Sequence, residues 1–174
     1  MPDSFKGLQA CLLLLTSLAL GTAARAADTT EDPPWVEQAV GAPPEFSQAH
    51  LLTLETPNFQ SVQVAIDPAT LQLGGDGVLR YVMVLKARSG TVTASYQALR
   101  CATRETKTYA LYTASGQWSA VSQPQWKPVA ENGLTHLAWV FARQAACSAG
   151  LSPDVPQIIQ LLKHGQPQNR IPYE

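Results

Sequence analysis

The sequence predicts an α+β fold: an antiparallel β-meander sheet of about five strands, a C-terminal helix packed on one face, and a second short helix. Three observations carry this. Between Val78 and Trp118, three runs alternate apolar and polar residues at the period of a strand, and the links between them are far too short for the crossover that parallel neighbours need. Beyond residue 130 the apolar residues recur at helical spacing instead. Two cysteines, Cys101 and Cys147, fall one in each region.

Taken in order, the chain opens with Lys6, an apolar run from Leu8 to Leu20, and Ala24-Arg25-Ala26 before Ala27. This is the pattern of a cleavable secretory signal peptide over residues 1–26, its apolar core shorter than the ~20 residues of a membrane span. Leu8-Gln9-Ala10-Cys11 raises a lipoprotein site, but a lipid-modified cysteine follows the apolar region, whereas Leu12 to Leu15 come after Cys11. The expectation is an exported, periplasmic chain that begins near Ala27 and carries no membrane span.

The full sequence holds 12 basic and 13 acidic residues, a net charge of −1. Residues 1–26 account for Lys6, Arg25 and Asp3, so their removal shifts the balance to about −2. Such a balance creates no field that would favour nucleic acid or anionic lipid. Export places Cys101 and Cys147 where disulfides persist, and two cysteines allow one internal pairing. A free thiol or a metal ligand is the alternative.

Residues 27–60 are acidic and broken by Pro33-Pro34, Pro43-Pro44 and Pro57, which remove amide donors and hold the chain extended. They read as an arm laid over a single domain at 61–165, anchored by Trp35 and by Leu51, Leu52 and Leu54. Within the domain, Phe59 to Ile66 alternates as a strand, and Leu71 and Leu73 suggest a short one before the turn Gly74-Gly75-Asp76-Gly77. Next comes a strand whose two faces are both apolar, with Leu79, Tyr81, Met83, Leu85 and Ala87 on one side and Val82 and Val84 on the other. That is the pattern of a strand covered on both sides.

From Thr91 to Cys101, Val92, Ala94, Tyr96 and Ala98 alternate with Thr91, Thr93, Ser95 and Gln97, and then the apolar register moves to Leu99 and Cys101. A bulge there would keep the thiol inward. Thr106 to Thr113 places Tyr109 with Leu111 and Ala110 with Tyr112. Asn132 is positioned to cap a helix through Cys147 that buries Leu134, Leu137, Ala138, Phe141 and Ala145. A short helix over Pro156 to Lys163 stops at Gly165, and 166–174 reads as a loose tail.

The chain carries no G-x-S-x-G, H-E-x-x-H or C-x-x-C and no glycine fingerprint, so no catalytic residue, metal site or cofactor is assigned. His50, His136 and His164 lack a second ligand type at metal spacing. His136 and Cys147 share a helical stripe but would stand about 16 Å apart at 1.5 Å per residue, too far for proton transfer. One constellation remains. Arg100, Arg104 and Lys107, interleaved with Tyr109, Trp118 and Trp126, form a candidate binding surface, since cations among aromatics can hold an anionic sugar or a peptide. The competing reading is an aromatic core with solvated turns.

Several residues together resemble a family of exported proteins named after a cryptic neisserial protein, small single-domain proteins of Gram-negative bacteria without an established activity. They are Trp35-Val36-Glu37 beside the prolines, Ile66-Asp67, Asp76-Gly77-Val78 leading to Arg80-Tyr81, Arg100-Cys101, Arg104-Glu105, Tyr109-Ala110, Gly116 with Trp118, Trp126 and Cys147. The chain departs from that pattern before Cys147, where it is alanine-rich rather than aromatic. A looser similarity links the order of strands, cysteines and Trp126-Lys127-Pro128-Val129 to a lipid-anchored surface adhesin family. Neither resemblance supplies a catalytic residue. The expectation is a non-catalytic envelope protein whose partner is an unknown protein or an envelope glycan. The alternatives are a surface adhesion module and an enzyme with an unrecognised site.

Overall fold

The computed structural model describes residues 34–56, 61–113 and 115–165. The segment 1–26 expected to be a signal peptide, the first part of the expected arm, the start of the expected Phe59 strand and the expected tail at 166–174 lie outside the described residues. The residues from Trp35 onward form one unit.

Among the described residues, eight strands build one antiparallel sheet: β1 (Leu52–Thr53), β2 (Val62–Ile66), β3 (Gln72–Leu73), β4 (Val78–Ala87), β5 (Val92–Arg100), β6 (Glu105–Tyr112), β7 (Trp118–Ala120) and β8 (Lys127–Pro128). The order across it is β1-β2-β4-β5-β6-β7, with β3 sharing an edge of β4 with β2, and β8 sharing an edge of β6 with β7. The expectation of about five strands is too low. The additions β1, β7 and β8 span two or three residues each, too short to display a period of two, and they exist because a neighbour offers backbone partners. Because β1 pairs Leu52 with Ile66, the sheet starts inside the segment read as an arm.

Strand β4 is central and covered on both sides, as its pattern predicts. Leu79, Tyr81 and Met83 pack with Val64, Ile66, Leu99, Phe141 and Ile158 on the helix face. Val82 and Val84 pack with Ala94, Tyr96 and Ala110 on the other, against Val40, Phe46 and Leu51 of the arm. The molecule is therefore layered as helices, sheet and arm.

The expected bulge sits elsewhere. Pairing of β4 with β5 runs without interruption from Val78↔Arg100 to Lys86↔Val92. The irregularity lies between β5 and β6, where Tyr96 faces Ala110 but Gln97 faces Thr108, so Tyr109 is the extra residue. Tyr109 thereby joins Ala110 and Tyr112 on the arm face, not Leu111 as strict alternation predicts. The apolar change along β5 needs no bulge, because the strand is covered at Leu99 and Cys101 by the helices and at Ala94 and Tyr96 by the arm.

The helix predicted from Asn132 to Cys147 is shorter. Helix α1 is His136–Phe141, continued by a π-helical turn at Ala142–Ala146. Asn132 precedes Gly133 at φ 87°, and this Asn-Gly pair makes a turn instead of a cap. Leu134, expected on the buried face, is 97% exposed. The π turn absorbs an extra residue and leaves Ala142, Ala145 and Ala146 fully buried against the sheet, where small side chains permit a close approach. Gln144 ties the turn to the strand layer, accepting from the Glu55 amide at 3.0 Å and donating to its carbonyl at 2.7 Å. Cys147 then bonds Cys101, closing a span of 46 residues, worth about 4 kcal/mol in the chain-entropy account. Helix α2 (Val155–His164) is capped by the Asp154 side chain, which accepts from Gln157 N at 2.8 Å, and ends at Gly165 with φ 74°.

Candidate binding surfaces

Of the six residues in the candidate surface, four meet on the arm face, and the arm itself fills the space between them. Lys107 is on the arm face of β6 because Ala98, opposite it, points there, and the bulge brings Tyr109 to the same side. Trp126, one residue before β8, reaches round from the sheet edge. All three donate to the carboxylate of Glu37: Lys107 Nζ at 2.8 Å, Trp126 Nε1 at 3.2 Å, and the Tyr109 hydroxyl in a short hydrogen bond. Two residues earlier in the arm, Trp35 lies under the Arg100 guanidinium at 3.7 Å and edge-on to Trp126 at 6.0 Å. Trp118 is apart from this group, packed with Tyr112 and Phe46 where the arm continues. Arg104 occupies the β5–β6 turn at φ 54°, and its carbonyl accepts from Val129.

Acidic side chains pin the arm backbone from below. Asp76 accepts from Gln38 N at 2.9 Å and forms a two-pronged pair with Arg80 at 3.2 and 2.7 Å, while its carbonyl takes the Trp35 indole N–H. Asp67 accepts from Ser47 N at 2.7 Å and, in its own turn, from Ala69 N. Burial works to raise the Asp76 carboxyl, but hydrogen bonds from Arg80, Gln38 and Val78 and the Arg80 charge outweigh it and bring its pKa down to about 2. At Glu37 burial is likewise overcome by Lys107, Tyr109 and Trp126, and the pKa lies below the ordinary carboxylate value. Burial, followed by the hydrogen bond to Glu37, pushes the Tyr109 phenol up.

The helix face is only half closed. Helices α1 and α2 cover the end that holds Leu79, Leu99 and Cys101. Toward the other end the same face carries Leu85, Thr93, Ser95, Gln97, Thr108 and Leu111, and it forms the floor of a cleft of about 710 Å³. The segment 121–127 and the approach to α1, with Leu134 and Leu137, make its sides. A hydrogen-bond chain sets the floor: the buried Tyr81 hydroxyl donates to Gln97 Oε1 at 2.9 Å, and Gln97 Nε2 donates to Ser95 Oγ at 2.7 Å. This holds the Gln97 amide in one orientation, with the Ser95 hydroxyl oxygen as its acceptor. The polar stripe Thr93-Ser95-Gln97, read as one side of an alternating strand, is the floor of a cleft.

A family model, that of the CNP1-like family, matches residues 30–163. The chain belongs to the CNP1-like family. No curated protein and no solved structure matches it. In this family member many of the residues that carry the resemblance converge on the arm: Trp35, Glu37, Asp67, Asp76, Arg80, Arg100, Tyr109 and Trp126 hold it or belong to it, while Tyr81, Cys101 and Cys147 belong to the helix face. Their spacing in sequence hides this, because each contact spans 20 residues or more except the Asp76–Arg80 pair. Among the described residues no three His, Cys, Asp or Glu side chains stand close enough to hold a metal ion, and no helix is long and apolar enough to cross a membrane.

Proposed function

We propose that this member of the CNP1-like family is a non-catalytic binding protein of the cell envelope, exported to the periplasm by its signal peptide, and that the cleft holds an elongated amphipathic molecule. The observation that carries the reading is the composition of the cleft. Its walls offer aliphatic carbon, hydroxyls and amides, with Lys127 as the lone charged group among the described lining residues. Apolar surface with a few oriented polar groups is what a binding pocket needs. Leu111, 48% exposed, and Leu134 leave apolar surface open at the cleft, where an acyl or similar chain would cover it. Lys127 suits an anionic head group on such a chain.

Titration of the purified protein with hexadecanoate, followed by calorimetry, tests this. One-to-one binding that Leu111→Arg abolishes and Lys127→Met weakens is the expected result. Absence of binding overturns the cleft reading. Reproducible turnover of an ester, peptide or glycan substrate, abolished by one point substitution, overturns the non-catalytic one.

A further inference from the structure

The patch of Arg100, Lys107, Tyr109 and Trp126 has the form of a receptor already holding its ligand. Three donors from β6 and the edge segment meet on one carboxylate, and a guanidinium and a second indole enclose a tryptophan ring. The ligand is the chain's own Trp35-Val36-Glu37. Side-chain contacts hold this tripeptide, since it belongs to no strand of the sheet, and Val36, between the two anchors, is 75% exposed. An extended segment that presents alternate side chains to a surface and its middle residue to water is how peptides are recognised in general.

We propose that this patch is a recognition site for a peptide segment of another protein that carries a tryptophan two residues before a carboxylate, and that the arm occupies it in cis as a competitor. Charge complementarity argues for that chemistry. With Glu37 withdrawn, the Lys107 ammonium and the Tyr109 and Trp126 donors would lose their shared acceptor in a half-buried setting, and an incoming carboxylate restores it. The tether gives the arm an effective concentration on the order of millimolar, so a free peptide of the same sequence competes poorly with the intact arm and well with a disabled one. The patch lies on the opposite face of the sheet from the cleft, and the segment 121–127 that carries Trp126 to the patch also forms one side of the cleft.

The probe is a fluorescein-labelled peptide of residues 34–38, Pro-Trp-Val-Glu-Gln, added to the full chain and followed by anisotropy. A Trp35→Ala/Glu37→Ala variant should bind it at least tenfold more tightly than the wild type, and adding Lys107→Met should remove the gain. Equal affinity in wild type and double variant, or binding indifferent to Lys107→Met, overturns the proposal. Should the double variant fail to fold, the wild type decides: several millimolar peptide must saturably shift the Trp35 and Trp126 indole N–H resonances, and unmoved resonances overturn it. A wild-type dimer that Glu37→Ala disperses to monomers would assign the site to the arm of a second copy and overturn the foreign-peptide reading.

Discussion

The two faces of the sheet are closed by different means. On the helix face, regular elements rich in alanine press against β2, β4 and β5 and are fixed by the Cys101–Cys147 bond, but they reach across only half of the sheet. On the arm face, an irregular, proline-bearing segment runs from Trp35 to Leu51 and is held at intervals by aromatic stacks, by the Lys107–Glu37 ion pair and by hydrogen bonds of the Gln38 backbone to the paired Asp76 and Arg80. A helix buries a continuous stripe because its own backbone is internally satisfied. An extended arm has no such internal bonding, so its amides need outside partners, and at Gln38 and Ser47 those partners are the carboxylates of Asp76 and Asp67. Stability is thus concentrated under the helices, while specificity of placement is concentrated under the arm.

Substitutions can break this contrast, beginning with the largest effect. Phe141→Ala removes a fully buried ring that packs edge-on to Tyr81 at 4.7 Å, and urea unfolding should show a loss of about 3–5 kcal/mol. Replacing both cysteines by serine should cost about 2–4 kcal/mol, and the wild type should lose as much on reduction. An equal loss from removing the arm's aromatic anchors would erase the distinction between the faces.

On the arm face, Asp76→Asn should cost about 2 kcal/mol at pH 7, from a carboxyl held near 2 at 1.36 kcal/mol per unit. Because the folded pKa is depressed, this contribution is complete above about pH 4 and is lost as pH falls towards 2. The gap between wild type and variant should therefore narrow over that window. Glu37→Gln keeps one acceptor but loses the charge, and should cost about 1 kcal/mol while altering the fluorescence of Trp35 and Trp126. Thr108→Val, in the floor of the cleft, should change stability by less than about 0.5 kcal/mol. A larger loss there would mean that the open half of the helix face is structural.

Much of this was legible in the residues. The double apolar face of β4, the meander, the pairing of the two cysteines and the short second helix all follow from local period, turn chemistry or counting, and the family resemblance rests on matching residues such as Trp35-Val36-Glu37 and Arg100-Cys101. The candidate surface was half legible. Arg100, Lys107, Tyr109 and Trp126 do come together, but nothing in their spacing indicates that Glu37 and Trp35 lie among them, since these contacts join residues about 65 to 90 apart. The bulge at Tyr109 was also missed, because a single extra residue leaves the composition of a strand unchanged and shows only in the register of its neighbour.

Period and turn chemistry by themselves determined the longer strands, the second helix and which strand is covered on both sides, because those depend on residues a few positions apart. What covers each face, why the Thr93-Ser95-Gln97 stripe lines a cleft, and which carboxylate answers the Lys107 cation were decided only by the tertiary structure. Those outcomes depend on how far the helices reach and where the arm crosses, which are distances in space that no local pattern encodes.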